Sequence, residues 1–155
     1  MAKQWLRKLT DRQLDRVASG KNAEWWQVRL EEELAAEVKQ FGVDGSKTQT
    51  GRAGLAKHLE TNEKFMEARQ LRIENLESLT RSNGPADLKT AFAHQDLANN
   101  YGMTGEYKEA RFELQQVYEI RLSALGPQHD QTNFARDQLA TVVDLLRDDG
   151  ETGNE

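Results

Sequence analysis

Along this chain, apolar residues recur three or four positions apart and polar residues fill the gaps, the pattern of amphipathic helices. Trp5, Leu6, Leu9, Leu14 and Val17 mark a stripe over about 4–18, and Ser19-Gly20 stops it. Trp25, Trp26, Val28, Leu30, Leu34 and Val38 predict a second helix over about 22–40. Further helices are expected at about 47–61, 64–81, 88–103, 106–124 and 131–148. The breakers between them are FGVDGS at 41–46, Asn83-Gly84-Pro85 and Gly126-Pro127. Proline cannot continue a helix, and glycine accepts the left-handed conformation that ends one.

The pattern recurs at one fixed period. Leu-Ala stands at Leu55-Ala56, Leu97-Ala98 and Leu139-Ala140. Loop glycines share that period at Gly42, Gly84 and Gly126, and threonines follow at Thr48, Thr90 and Thr132. A repeat of about 42 residues marks a solenoid, in which each unit buries its apolar face only against its neighbours. The expected fold is an all-α, right-handed α-solenoid of about three and a half helix pairs, seven helices in one domain over 1–148. Its units are approximately 4–42, 46–84, 88–126 and 130–148, and a disordered polar tail is expected over 149–155. Small residues allow close helix approach, at Ala56, Ala98 and Ala140 on first helices and at Ala68 and Ala110 on second helices. Phe65, Tyr101 and Tyr107 fill gaps between units.

Unit three holds Leu97, Ala98, Tyr101, Gly105, Tyr107, Ala110, Leu114 and Val117 at spacings that resemble the tetratricopeptide repeat. The 42-residue period is similar to the kinesin light chain variety. Unit two keeps Leu55, Ala56, Leu59, Phe65 and Ala68 but has Arg72 and Asn75 where apolar residues are expected. Unit four keeps Leu139, Ala140 and Val143. Unit one is degenerate, with Leu14 in the leucine position, Trp26 in the alanine position and a one-residue gap. The loop Gly126-Pro127-Gln128-His129-Asp130 lacks the family's second proline.

The resemblance implies a groove lined by the first helix of each pair, with ligand contacts two residues before and after the conserved leucine. Carried over, these are Arg12 and Arg16, Ala53 and Lys57, Gln95 and Asn99, and Asp137 and Thr141. The groove then runs from basic to acidic, and its basic end favours an acidic segment or a free carboxylate. An apolar anchor is expected near Trp25 and Trp26. The family's cargo preference is not carried over, because Gln95-Asp96 replaces the Asn-Asn that often precedes Leu-Ala.

Composition narrows the function classes. The chain has 155 residues, is 37% hydrophobic and 30% charged, and carries a net charge of −5. That balance argues against binding a phosphate backbone, so no nucleic acid partner is expected. The absence of cysteine excludes disulfides and thiolate metal sites. No apolar run reaches the ~20 residues of a membrane span, so no membrane partner is expected. MAKQWLRKLTDRQ lacks the apolar core of a secretory signal, so a cytoplasmic location is expected. The basic character of helix 4–18 reads as a solvated face. His58, His94 and His129 share no phase and read as solvated. Glu31, Glu32 and Glu33 splay around their helix axis and also read as solvated. No metal or cofactor is expected, and no catalytic constellation is present.

The expected function is therefore a non-enzymatic protein- or peptide-binding scaffold or adaptor. The alternative is a regulatory or sensor repeat domain of a signalling ATPase or peptide-responsive transcription regulator. Helix 131–148 lacks a partner helix. Val142 and Leu145 fall outside its packing stripe and mark a candidate edge for a homodimer or another partner.

Overall fold

The structure, a computed structural model, describes residues 23–152. They form six helices: α1 Ala23–Phe41, α2 Ser46–Thr61, α3 Phe65–Asn83, α4 Leu88–Met103, α5 Tyr107–Leu125 and α6 Asp130–Thr152. The expected first helix, over 4–18, lies outside the described residues. Both ends of α1, α3 and α5 step along the chain by one repeat period, and so do the starts of α2, α4 and α6. Trp26 thus sits one period before Ala68 and two before Ala110, with no gap inside this helix register. α6 continues to Thr152, into the segment where a disordered tail was expected. Gly150 does not end it, since one helical glycine costs only about 1 kcal/mol relative to alanine.

The recurrent glycines and threonines have a direct structural role. Gly42, Gly84 and Gly126 all have positive φ, between 79° and 97°. The Thr48 hydroxyl donates to the Gly42 carbonyl at 2.8 Å, and Thr90 donates to Gly84 at 2.7 Å. Thr132 donates instead to the Arg121 carbonyl at 3.2 Å. All three threonines are buried. Each ties the first turn of one helix to the chain before it and fixes the bend between units.

Each helix packs chiefly on the helices before and after it in the chain, as expected of a solenoid. Ala56, Ala68, Ala98 and Ala110 are buried at the helix contacts. Ala140 departs from the expected close contact and is exposed, because the described chain places no further helix against that side of α6.

The interior is more polar than the sequence pattern suggests. Arg72 is buried at the repeat position of Leu114, and chelates Glu60 through Nε and Nη2 at 3.2 and 2.8 Å. Its Nη1 donates to Asp96 at 2.8 Å. Asn100 is fully buried and donates to Glu60 and to the Phe65 carbonyl, both at 3.1 Å. It accepts from Arg69 Nε at 2.9 Å. Arg69 in turn forks onto Glu106 at 3.0 and 2.6 Å, which holds that carboxyl below the usual carboxylate range. One continuous network therefore joins units two and three, where a buried polar group needs a partner to be tolerated. Asn75, the second departure from the repeat, is also buried, and its Oδ1 finds no protein donor.

Candidate functional site

The first helices of the pairs, α2, α4 and α6, carry the face on which the candidate residues were placed. On α4, Phe92, Gln95, Asn99 and Met103 follow the 3–4 spacing of a single helix face. On α6 the same positions hold Phe134, Asp137, Thr141 and Leu145. Four of these are large, apolar and exposed: Phe92 at 52%, Met103 at 57%, Phe134 at 56% and Leu145 at 38%. They form two pairs, each separated by the repeat period. Lys57 on α2, Asn99 on α4, and Asp137 and Thr141 on α6 are exposed. Asp137 is ion-paired with its neighbour Arg136 at 3.3 Å. Arg12 and Arg16 lie outside the described residues.

Gln95 departs from the picture of a free ligand contact. It is buried, and its Nε2 donates to Asn99 Oδ1 at 3.3 Å. Its Oε1 accepts from Arg121 Nη1 at 3.4 Å. Arg121 comes from α5, a second helix of a pair. It is only 4% exposed and stacks under the Phe92 ring, 5.4 Å from the centroid. Burial lowers its pKa from the ordinary arginine value, and the guanidinium stays charged at neutral pH. Nη1 also donates to the Gln131 carbonyl at 3.4 Å, and among the described residues Arg121 has no carboxylate partner. Phe92, Gln95, Arg121, Asp130, Gln131 and Phe134 enclose an open cleft of about 380 Å³ between units three and four.

Sequence reasoning did not single out Phe92, Phe134 or Arg121. The spacing of the two phenylalanines was a usable signal. Arg121 had one too, since Leu79 stands one period earlier. The expected apolar anchor at Trp25 and Trp26 falls on α1, where both rings are half-buried and pack edge-to-face at 4.9 Å.

His94 is not the solvated residue expected, and His58 is half-buried. His94 Nδ1 is hydrogen-bonded to Glu113 Oε2, with both side chains largely covered, and His58 Nε2 meets the Ala23 carbonyl at 2.9 Å. His129 is exposed and accepts from the Gln131 amide at 3.2 Å, next to the start of α6. Among the described residues no group of acidic and histidine side chains is placed to hold a metal ion. No described helix is long and apolar enough to cross a membrane.

At the outer end, Val142 is half-buried, and Leu145 is exposed on the same face as Phe134.

Comparison with known proteins agrees with this architecture. A tetratricopeptide repeat model matches residues 48–123. No curated protein matches the chain. Among solved structures, BtubC (BKLC) from P. vanneervenii superposes with a TM-score of 0.72 at 20% identity, over 81% of this chain and 50% of that one. The chain spans about half the length of BtubC. Such repeats generally mediate protein–protein interaction, and the family is typically a non-enzymatic scaffold. The 42-residue helix pairs, the all-helical architecture and the repeat match across units two and three identify residues 48–123 as a tetratricopeptide repeat segment of the kinesin light chain-like kind.

Proposed function

We propose that the chain is a scaffold or adaptor that binds a protein or peptide segment along the face formed by α2, α4 and α6. The observation that carries this reading is the recurrence of exposed apolar side chains on that face, Phe92 with Phe134 and Met103 with Leu145, interleaved with exposed polar groups. Contiguous exposed apolar surface rimmed by polar residues marks interaction sites. Lys57, Asn99, Asp137 and Thr141 supply hydrogen bonds and charge pairing around the apolar contacts. Arg12 and Arg16 extend the proposal towards the N-terminus, and Gln95 acts from behind by holding Arg121. A sensor role within a longer signalling protein has no separate observation to carry it.

A photo-crosslinking amino acid placed at position 99, and separately at position 112 on the second-helix side, tests the reading in the native host. The expected result is a discrete partner adduct from position 99 that Phe134→Ala diminishes. Adducts from position 112 alone would place the binding surface elsewhere.

A further inference from the structure

In units two and three, the residue four positions before the buried alanine of the first helix is basic and meets a carboxylate of the second helix. Arg52 on α2 pairs with Glu74 on α3, Nε to Oε2 at 3.7 Å, and His94 on α4 is hydrogen-bonded to Glu113 on α5. The third residue of this series is Arg136 on α6. Its side chain is 58% exposed, and its ion pair among the described residues is with its neighbour Asp137 at 3.3 Å. Ala140, four residues further on, is exposed, whereas Ala56 and Ala98 are 0% and 3% exposed. α6 thus keeps the base and the small residue with which a first helix receives a second one, and no described helix fills that place.

The same helix also carries the complement. The second helices present a buried alanine followed within two turns by the carboxylate, Ala68 with Glu74 and Ala110 with Glu113. In α6 the alanine is Ala140 and the acid is Asp144. Arg136, Ala140, Asp144 and Arg147 follow the 3–4 spacing of one helix face. Arg136 and Asp144 stand at equal distances on either side of Ala140. An antiparallel pair of α6 helices crossing at Ala140 therefore sets Arg136 of each copy opposite Asp144 of the other, and the alanines let the backbones approach closely. A parallel pair in register would set Arg136 against Arg136. The outer charges fit as well. Arg147 is ion-paired with Asp144 at 3.3 Å and comes within about one helical turn of Asp137 on the second copy. Each end of the contact then holds four charges of alternating sign, two from each copy.

We propose that two copies of this chain pair antiparallel through α6 about a two-fold axis at Ala140, each α6 acting as the second helix of the other's fourth unit, with Arg136 and Asp144 paired across the axis. A contact of this kind closes at two copies. Phe134, Thr141 and Leu145 lie about 100–140° round the helix from Ala140, so the face formed by α2, α4 and α6 stays open on both copies. The dimer presents two such faces, and a target with two matching segments gains from both at once. The pairing does not depend on what that face binds.

Sedimentation of the full chain across micromolar to submillimolar concentration tests it. The native chain should pass reversibly from monomer to dimer and shift back towards monomer as salt rises. Arg136→Asp and Asp144→Arg, both at exposed positions, should each remain monomeric, because each sets like charges opposite one another at both ends. An equimolar mixture of the two variants should form a heterodimer, since every crossed pair is then opposite in sign. Its dissociation constant should lie at least roughly tenfold below that of either variant alone. The native chain has no cysteine, so Ala140→Cys gives a second readout. On mild oxidation it should form a disulfide dimer that Phe112→Cys, exposed on α5, does not form at the same concentration. A native chain that stays monomeric throughout, a mixture no tighter than its components, or equal crosslinking of the two cysteine variants would overturn the proposal. A dimer that both charge variants leave intact would overturn it too and place the contact on another face.

Discussion

Replacing Arg72 with leucine restores the repeat's own residue, since Leu114 stands one period later, and yet it should destabilise the chain. The substitution removes three hydrogen bonds, two to Glu60 and one to Asp96. Asp96 is 43% exposed, and losing that bond costs about 0.5 kcal/mol. The Glu60 side chain is only 10% exposed and is left as a buried carboxylate with Asn100 Nδ2 as its remaining donor. Breaking a buried pair from one side costs about 3–5 kcal/mol. Burying the new leucine returns at most about 1.5–3 kcal/mol. The net expectation is a loss of about 2 kcal/mol, measured by urea unfolding followed by circular dichroism at neutral pH. Arg72→Leu combined with Glu60→Gln removes the stranded charge while keeping an acceptor for Asn100. This double variant should return to within about 1 kcal/mol of the native chain.

The pH dependence gives a second check. Burial raises the Asp96 carboxyl above its ordinary value of 3.8, and Arg72 opposes that rise. The folded state therefore holds its proton to higher pH than the unfolded chain, and stability falls as pH rises from 3.8 through the folded value. Removing Arg72 widens this window, so the variant should lose more stability between mildly acidic and neutral pH than the native chain does. Two results would refute the assignment of Arg72 as the counter-ion of a buried carboxylate. One is a loss for Arg72→Leu under about 0.5 kcal/mol, the range of ordinary surface substitutions. The other is a double variant no more stable than the single one.

Ala98→Leu and Ala110→Leu overpack buried helix contacts and should each cost about 1–3 kcal/mol in thermal or urea melts. Glu63 has φ 61° at the repeat position of Gly105, so Glu63→Gly should stabilise by roughly 0.5–1 kcal/mol in the same assay. The Glu106–Arg69 pair contributes stability above pH 4.5 that is lost as pH falls through the lowered carboxyl value, so Glu106→Gln should flatten the acid limb of a stability–pH curve. If α6 instead pairs with a second copy through Val142 and Leu145, sedimentation at micromolar concentration should show a dimer that Val142→Glu with Leu145→Glu converts to monomer; an unchanged monomer in both rules that contact out.

The helices and their period were legible because they depend on local spacing and on loop residues such as Gly84-Pro85 and Gly126-Pro127. Ala98 and Ala110 were legible because close helix contacts demand small side chains. The polar interior was not. Arg72 reads as a defect within its helix, and its carboxylate partners lie 12 and 24 positions away. Asn100 likewise closes on side chains and backbone 31 to 40 positions distant. On the candidate face, exposed Lys57 and Asn99 were found by repeat position. Gln95 was assigned outward because its partner Arg121 lies on another helix. The cleft itself arises only where α4, α5 and α6 meet.

The buried network between units two and three has a mechanical consequence. Directional bonds among Arg69, Arg72, Glu60, Asp96, Asn100 and Glu106 resist sliding and twisting at that junction. Across the next junction, the hydrogen bonds between α5 and α6 are those of Thr132 and Arg121, at 3.2 and 3.4 Å. A rigid segment is thus coupled in series to a more compliant one. Strain applied to the superhelix concentrates at the compliant joint, between units three and four. The width of the groove is therefore set least firmly beside Phe92 and Phe134, where a bound chain can draw the last helix inward without disturbing the remainder.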